Sequence, residues 1–234
     1  MTVPLLLVGS GGLGRETAET ARATGVFRPV GYLDDDEALR GTLVGGLPVL
    51  GGIHLIQEHP SALVVLCIGK GVGRMRLAER LRSMGLEDER YAKVIHPSVD
   101  VPQSCSVGAG SILLAGTVLT ADVSVGRHVV CMPQVTLTHD NTVDDAATLC
   151  ASATLGGWVH IGSRAYLGMA CSVRERVRIG PDATVGMGAV VLNDVPAGQT
   201  WVGVPASAMA GPTVRGTTVS GRRLSAHSPT KEEV

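Results

Sequence analysis

From Val101 onward, a hydrophobic residue recurs at every sixth position of the chain. The repeat continues to Val191 without an insertion, and every residue at this anchor position is aliphatic or cysteine. The anchors are Val101, Val107, Leu113, Leu119, Val125, Cys131, Leu137, Val143, Leu149, Leu155, Ile161, Leu167, Val173, Ile179, Val185 and Val191. An antiparallel sandwich gives no reason for a strict period of six. The pattern therefore predicts a parallel β-helix of short stacked strands.

The period also predicts which residues stack on one another. We expect six residues to form a short strand and a bend, with the anchor pointing inward and a glycine after the anchor permitting the bend. Three such units close a triangular coil, so residues 18 apart lie one above the other. His139 then has Ala121 below it and Gly157 above it. We expect a stripe of small residues and methionines to form a second column beside His139, along which a long thin ligand could lie: Ala151, Gly168, Met169, Ala170, Gly186, Met187 and Gly188.

The first 96 residues show a different pattern, in which strands alternate with helices, and this predicts an α/β domain. Gly9, Gly11 and Gly14 fit a G-x-G-x-x-G turn between a strand and a helix, and Asp34 follows at the spacing where an acidic group meets a ribose. A third strand at 62–69 leads into a helix at 72–84. This is half of a Rossmann fold, so we expect it to bind a mononucleotide group at the helix N-terminus. The alternative is a glycine turn that only packs the helix on the sheet.

His139 is the strongest candidate for chemistry. It stands two residues after an anchor, which places it outside the core, and Asp140 follows it directly. Imidazole is the usual general base near neutral pH, and a neighbouring carboxylate would stabilise the imidazolium that forms. The alternative is a solvated surface histidine. We expect His128 and His160 to lie on coil faces without matching partners.

Composition narrows the function further. The net charge is −1 and no long basic run exists, which argues against nucleic-acid binding. No apolar stretch approaches the roughly 20 residues of a membrane helix, and the start of the chain is unlike a signal peptide. The 5 cysteines never form a CxxC pair, which indicates reduced thiols in a cytoplasmic protein with no metal site. The sequence predicts three segments: domain 1–96, domain 97–211 and a mobile tail at 212–234, in which Arg215, Arg222 and Arg223 either contact a CoA phosphate or are solvated.

Several segments together resemble a known family. "VGSGGLGRE", "GYLDDDEALRGTLVGGLPVLGG", "HPS", "THD" and "GMGAVVLNDVPAGQTWVGVPA" are similar to the sialic-acid O-acetyltransferase family of hexapeptide-repeat acyltransferases. This family includes bacterial N-acetyltransferases that act on UDP-linked amino sugars and on GDP-perosamine. The resemblance covers about residues 3–210 and implies a Rossmann-like domain followed by a left-handed β-helix, in a homotrimer whose active site lies between neighbouring β-helices.

The resemblance also implies roles for individual residues. His139 would be the general base and Asp140 its acidic neighbour, transferring an acetyl group directly from acetyl-CoA to an amino or hydroxyl group of a sugar nucleotide. The nucleotide would be bound by Gly9, Gly11, Gly12, Asp34 and Asp35. Acetyl-CoA would be bound by Gly157, Gly168, Met169, Gly186, Gly188, Gly203, Val204 and Pro205.

The sequence departs from the family at four positions. Thr148 stands where some N-acetyltransferases carry a second histidine that contacts the donor, and Asp144 replaces a glycine of the repeat. Leu13 stands where the family often has an aromatic residue or a histidine, and Lys70 stands where it commonly has an acidic residue. Both positions lie where the nucleotide would bind. Two alternatives therefore stay open: an acyltransferase for a non-nucleotide metabolite, and a non-catalytic scaffold that binds nucleotide sugars.

Overall fold

The computed structural model describes residues 2–209. The predicted tail at 212–234 and its three arginines lie outside the described residues. Within residues 2–209, no helix is long and apolar enough to cross a membrane.

The N-terminal domain is a five-stranded sheet with an α-helix on each face. The strands occur in the order β3-β4-β2-β1-β5, and all pairs are parallel except β3 with β4. The strands are β1 (Val3–Val8), β2 (Phe27–Leu33), β3 (Leu43–Val44), β4 (Leu47–Gly51) and β5 (Leu63–Leu66). The α-helices are α1 (Gly12–Ala23) and α2 (Gly71–Ser83), and short 3₁₀ turns occupy Glu37–Leu39, Ile53–Glu58 and Asp88–Arg90.

Strand β1 shows why this sheet is covered on both sides. Leu5 and Leu7 pack into the cluster that contains residues of α1, while Leu6 and Val8 pack into a second cluster with Leu81 of α2. Successive side chains of a strand point to opposite faces, so a run of leucines needs a layer on each side. The predicted half-Rossmann arrangement is confirmed.

The second half of the chain is a parallel β-helix with three faces. The first face contains β7 (Ser106–Val107), β10 (Ser124–Val125), β13 (Thr142–Val143), β16 (His160–Ile161) and β19 (Arg178–Ile179). The second contains β6 (Val94–Ile95), β8 (Ile112–Leu113), β11 (Val130–Cys131), β14 (Thr148–Leu149), β17 (Tyr166–Leu167), β20 (Thr184–Val185), β22 (Thr200–Val202) and the antiparallel β23 (Ser207–Ala208). The third contains β9 (Val118–Leu119), β12 (Thr136–Leu137), β15 (Thr154–Leu155), β18 (Ser172–Val173) and β21 (Val190–Val191).

The register of the β-helix is the one the repeat predicts. Val107 pairs with Val125 and Val125 with Val143, so each coil advances the chain by 18 residues. From Val107 to Val191 the anchor side chains are all buried, and they form one continuous aliphatic core. The β-helix begins earlier than expected, because β6 pairs with β8. The predicted boundary at 96/97 therefore falls after the first strand of the β-helix.

The prediction that glycines after the anchors make the bends is wrong. The left-handed turn lies three residues after the anchor and mostly holds non-glycine residues, with φ of 59° at Asp140 and 57° at Trp158. Gly126 and Gly168 are needed for a different reason: a Cβ there would lie 2.8 Å from the amide nitrogen of Asp145 and 2.5 Å from that of Met187, each in the next coil. These glycines permit close stacking of the coils.

Arg74 of α2 joins the two domains. Its guanidinium is fully buried and donates to the carbonyls of Ile68 and Gly69 in its own domain. It also donates to three carbonyls and one hydroxyl of the β-helix, those of His128, Ala146, Ala147 and Thr148. Burial lowers the pKa of Arg74 to about 10, which leaves it charged at neutral pH. The charge is thus shared among backbone dipoles from both domains.

Candidate active site

His139 lies on the turn between β12 and β13. We call this turn, together with the turn at 157–158 that stacks on it, the histidine corner. Leu137 is buried in the core, and the chain then turns outward so that the His139 side chain is 47% exposed. Its Nδ1 lies 2.8 Å from Oδ2 of Asp140. Asp140 adopts a left-handed φ, which aspartate tolerates better than most residues. The turn that bends the chain from the third face to the first therefore also places a carboxylate beside the imidazole.

Gly157, in the next coil, packs against the imidazole. A Cβ at this position would lie 2.5 Å from Nε2 of His139, so the ring occupies the volume that any other side chain would fill. The sequence predicted open space around the ring because Gly157 stacks on His139. The structure shows that the ring itself fills part of this space.

Two further residues complete the histidine corner, and neither was predicted from the sequence. The rings of Trp158 and His139 meet edge to face, with centroids 4.3 Å apart. The guanidinium carbon of Arg176 lies 4.4 Å from the centroid of the Trp158 ring. The 18-residue column through Asp140 leads directly to Trp158 and then to Arg176, so the signal was present in the repeat.

The residues predicted to bind CoA, other than Gly157, gather at a second edge. We call this the methionine corner, formed by the turns at 168–170 and 186–188 between the second and third faces. The N–H of Gly188 donates to the carbonyl of Met169 at 2.8 Å, which stacks the two turns directly. Gly203 closes the column, because its carbonyl accepts from the N–H of Val190 at 3.0 Å. Val204 and Pro205 follow in the same turn.

The histidine and methionine corners are not adjacent in one chain. The third face of the β-helix lies between them, since the methionine corner precedes β18 and the histidine corner follows β12. The expectation that His139 lies beside the methionine stripe is therefore wrong for a single chain. The period assigns residues to columns, and these columns belong to different edges.

The glycine turn of the N-terminal domain has the shape that its motif predicts. Gly9 adopts φ of 102°, and a Cβ there would lie 3.0 Å from the carbonyl oxygen of Cys67. A Cβ at Gly14 would lie 3.3 Å from the carbonyl carbon of Gly9, so helix α1 can approach the strand closely. Gly11 and Gly12, at the start of α1, face open space, because a Cβ at either position would meet nothing within 4 Å.

Asp34 and Asp35 hold the loops around this turn. Oδ2 of Asp34 accepts hydrogen bonds from the N–H of Ser10 at 2.9 Å and from its hydroxyl at 2.6 Å. Burial raises the pKa of Asp34, but the hydrogen bonds from Ser10 and Asp36 outweigh it, and the pKa lies below its usual range. Asp35 accepts from the N–H of Ile53, the main cause of its lowered pKa. Both carboxylates line a cavity of about 250 Å³ beside Gly9.

Comparison with known proteins places this geometry in a family. A model described as the PglD N-terminal domain matches residues 4–81. PerB from Caulobacter crescentus, in complex with CoA and GDP-perosamine, is 30% identical, with a TM-score of 0.81 over 88% of this chain and 97% of that one. The chain belongs to the sialic-acid O-acetyltransferase family of hexapeptide-repeat acyltransferases.

Two curated relatives match shorter segments of this family member. UDP-N-acetylbacillosamine N-acetyltransferase from Bacillus subtilis is 32% identical over 47% of this chain and 50% of its own length. An acyl-[acyl-carrier-protein]–UDP-N-acetylglucosamine O-acyltransferase from Pseudomonas putida is 35% identical over 38% of this chain and 34% of its own length. The chain thus spans half or less of the length of these two relatives.

The four departures from the family have different structural consequences. Thr148 is buried at the domain junction, where its hydroxyl donates to the carbonyl of Gly69 and accepts from Arg74. Leu13 is buried in the core of the N-terminal domain. Lys70 precedes α2 and lines a cavity of about 390 Å³ between the domains. None of the three lies at the histidine corner.

Asp144, the fourth departure, corrects the prediction for His160. Its Oδ2 lies 3.0 Å from Nε2 of His160, so this histidine has a partner. His128 is buried and does not lie on a coil face. Its ring packs edge to face on Tyr91, its Nδ1 has no hydrogen-bond partner within residues 2–209, and burial lowers its pKa to about 4. His139 differs from both in standing on an exposed turn.

Cysteine chemistry finds no support at these corners. Cys131 is fully buried, and burial raises the pKa of its thiol to about 12. Burial also raises the pKa of Cys150. A thiol must lose its proton to act as a nucleophile, so neither is suited to carry an acyl group. Within the described residues, no group of His, Cys, Asp and Glu could hold a metal ion.

Proposed function

We propose that the protein transfers an acetyl group from acetyl-CoA directly to an amino or hydroxyl group of a nucleotide-linked sugar, with His139 as general base. The observation that carries the proposal is the exposed His139–Asp140 pair, 2.8 Å apart, with the imidazole packed against Gly157 of the next coil. The CoA and GDP-perosamine bound by the Caulobacter relative support the same classes of donor and acceptor for this chain.

The geometry suggests how transfer proceeds. Asp140 accepts a hydrogen bond from Nδ1 of His139, which leaves Nε2 free to take a proton from the acceptor. The acceptor nitrogen or oxygen attacks the thioester carbonyl, its new bond to carbon forms, and the carbon–sulfur bond breaks to release CoA. Backbone N–H groups of the turn at Gly157 would stabilise the oxyanion. Asp140 stabilises the imidazolium until its proton passes to the leaving thiolate.

We propose that the active unit is a homotrimer. The third face separates the histidine and methionine corners of one chain, so acetyl-CoA on the methionine corner would lie away from the base of the same chain. A neighbouring copy would bring its methionine corner against His139. Acetyl-CoA would then lie along Gly168, Met169, Gly186, Gly188, Gly203, Val204 and Pro205, with Gly157 near the reacting carbonyl.

The acceptor would be held by the N-terminal domain. The glycine turn at Gly9, Gly11 and Gly12 offers open backbone to a phosphate at the start of α1. Asp34 and Asp35 line the adjacent cavity, where their free lone pairs would accept from a ribose or a base.

A thiol-release assay tests the proposal. Acetyl-CoA is offered with UDP- and GDP-linked amino sugars and with free amines, and an acetylated carrier protein serves as the alternative donor. We expect His139→Ala to lower turnover by about 10²-fold or more, the scale of general-base catalysis, with CoA binding by calorimetry retained. His160→Ala is the matched control, since it removes the second His–Asp pair of the β-helix. Full turnover in His139→Ala would refute the assignment of the base.

One observation favours a second acceptor class. Lys70 places a cation in the cavity between the domains, at a position where the family commonly has an acidic residue. A non-nucleotide metabolite is therefore the alternative acceptor. Calorimetry with UDP and GDP separates the two, because binding of neither nucleotide would favour the metabolite. Absence of CoA binding would instead favour a non-catalytic scaffold.

A further inference from the structure

We infer that Trp158 is a positioning residue that holds the imidazole of His139 against Asp140, with Arg176 clamping Trp158 from the next coil. This inference rests on the proposed role of His139 as general base. It assigns a function to an aromatic side chain that neither the repeat nor the core requires.

The three side chains form a stack along the axis of the β-helix. The N–H of Trp158 donates to the carbonyl of His139 at 3.0 Å, and the N–H of Arg176 donates to the carbonyl of Gly157 at 2.9 Å. The imidazole therefore lies in the coil below Trp158 and the guanidinium in the coil above it. The indole is in contact with both, at 4.3 Å and 4.4 Å between the respective centres.

The imidazole has few other restraints. It is held by one hydrogen bond to Asp140 and by the backbone of Gly157, and about half of the side chain is exposed. The edge-to-face contact with Trp158 closes a further side of the ring. Such aromatic pairs contribute beyond simple burial, and the bulky indole excludes rotamers that would turn the imidazole away from Asp140.

The fold does not explain a tryptophan at this position. Trp158 adopts a left-handed φ of 57°, as the equivalent residues of other turns do whether they are small or large, from Ser152 to Arg164, so the turn itself does not require a tryptophan. Trp158 is also 47% exposed, so it adds little to the core. A half-exposed aromatic residue in contact with the proposed base, which neither the turn nor the core requires, indicates a role in the site.

The first test replaces Trp158 while keeping the turn. Trp158→Asn suits the left-handed conformation, so we expect the melting temperature to be unchanged or raised. We expect kcat to fall by about 10- to 100-fold, the scale on which a misplaced catalytic group loses rate. The pH profile of kcat should change as well, because the substitution acts through the placement of the base. Trp158→Phe keeps an aromatic edge and should restore most of kcat.

The second test reads the contact in the unsubstituted site without any substrate. The chain has 2 tryptophans, so a Trp201→Phe background leaves Trp158 as the only indole. Imidazolium quenches indole fluorescence at contact distance. We expect Trp158 emission to be lower at acidic pH, where the imidazole is protonated, than at basic pH, where it is neutral. Adding His139→Ala should abolish this change.

The outcomes separate this inference from the proposed function. A folded Trp158→Asn protein with unchanged kcat and pH profile overturns the inference. A pH-dependent change in Trp158 emission that persists in His139→Ala overturns it as well. Full activity of His139→Ala overturns the proposed base instead. A fluorescence change that depends on His139, together with lower kcat in Trp158→Asn and recovery in Trp158→Phe, supports the positioning role.

Discussion

Replacing Gly157 with alanine would perturb the base without removing it. The added Cβ would lie 2.5 Å from Nε2 of His139, far inside ordinary contact. Gly157 does not adopt a left-handed φ, so the backbone accepts alanine without strain. The imidazole is the end of a flexible, half-exposed side chain, whereas the coil is fixed by stacking on both sides. The ring must therefore move and the coil stay.

The size of the movement sets the expected loss. Carbon contacts are comfortable at about 3.5 Å, so the imidazole must shift by about 1 Å. A misplacement of this size in a catalytic group costs about 10²-fold in rate. Stability should change little, because glycine-to-alanine substitution at a compatible site stabilises by about 0.4–1 kcal/mol, which offsets the displaced contact.

A double-mutant cycle provides the assay. Turnover is measured by thiol release for the unsubstituted protein, Gly157→Ala, His139→Ala and the double variant. If Gly157→Ala acts through the imidazole, it should cause no further loss once the imidazole is gone. Additive losses would show that Gly157 acts on the donor or the oxyanion independently of His139. Unchanged turnover in Gly157→Ala would refute the packing argument itself.

Two further predictions concern the frame around the site. Arg74→Ala leaves buried carbonyls of both domains without a donor and should lower the free energy of unfolding by about 3 kcal/mol or more in urea titrations; the exposed Arg76→Ala on the same helix should change it little, and equal losses would contradict the role of Arg74. The pKa of Asp34 is lowered in the folded protein, so ionised Asp34 stabilises the fold. This contribution is complete above the unfolded-state pKa of about 3.9 and is lost as the pH falls through the lower folded-state pKa. The stability difference between the unsubstituted protein and Asp34→Asn should therefore shrink below about pH 4, and a difference that persists there, or an equal one for the exposed Asp100→Asn, would contradict this.

The repeat made the β-helix predictable because burial imposes the period directly. An anchor such as Leu137 must be apolar because it lies in the continuous core, so the spacing of apolar residues alone reveals the fold. The role of the glycines was not visible in the same way. A glycine is required either by a left-handed turn or by the close approach of another backbone segment. Gly126 is required for the second reason. Only the distance to the neighbouring coil distinguishes the two.

The domain junction could not be read from the sequence. Arg74 binds mainly backbone carbonyls, and every residue carries a carbonyl, so its partners leave no side-chain pattern. From the helix sequence alone, nothing distinguishes Arg74 from the exposed Arg76. The same limit applied to Thr148, whose position suggested contact with a donor until the structure placed it beneath Arg74.

The sequence predicted which residues of the site stack on one another, but not which edge of the β-helix each stack occupies. Stacking placed Gly157 on His139 correctly, and one more step along the neighbouring column would have found Trp158 and Arg176. Assigning columns to edges requires the direction in which the three faces follow one another. With that direction known, the methionine corner and the histidine corner fall on opposite sides of the third face. If the thioester lies on one and the base on the other, transfer requires a second copy, and assembly becomes a condition of catalysis.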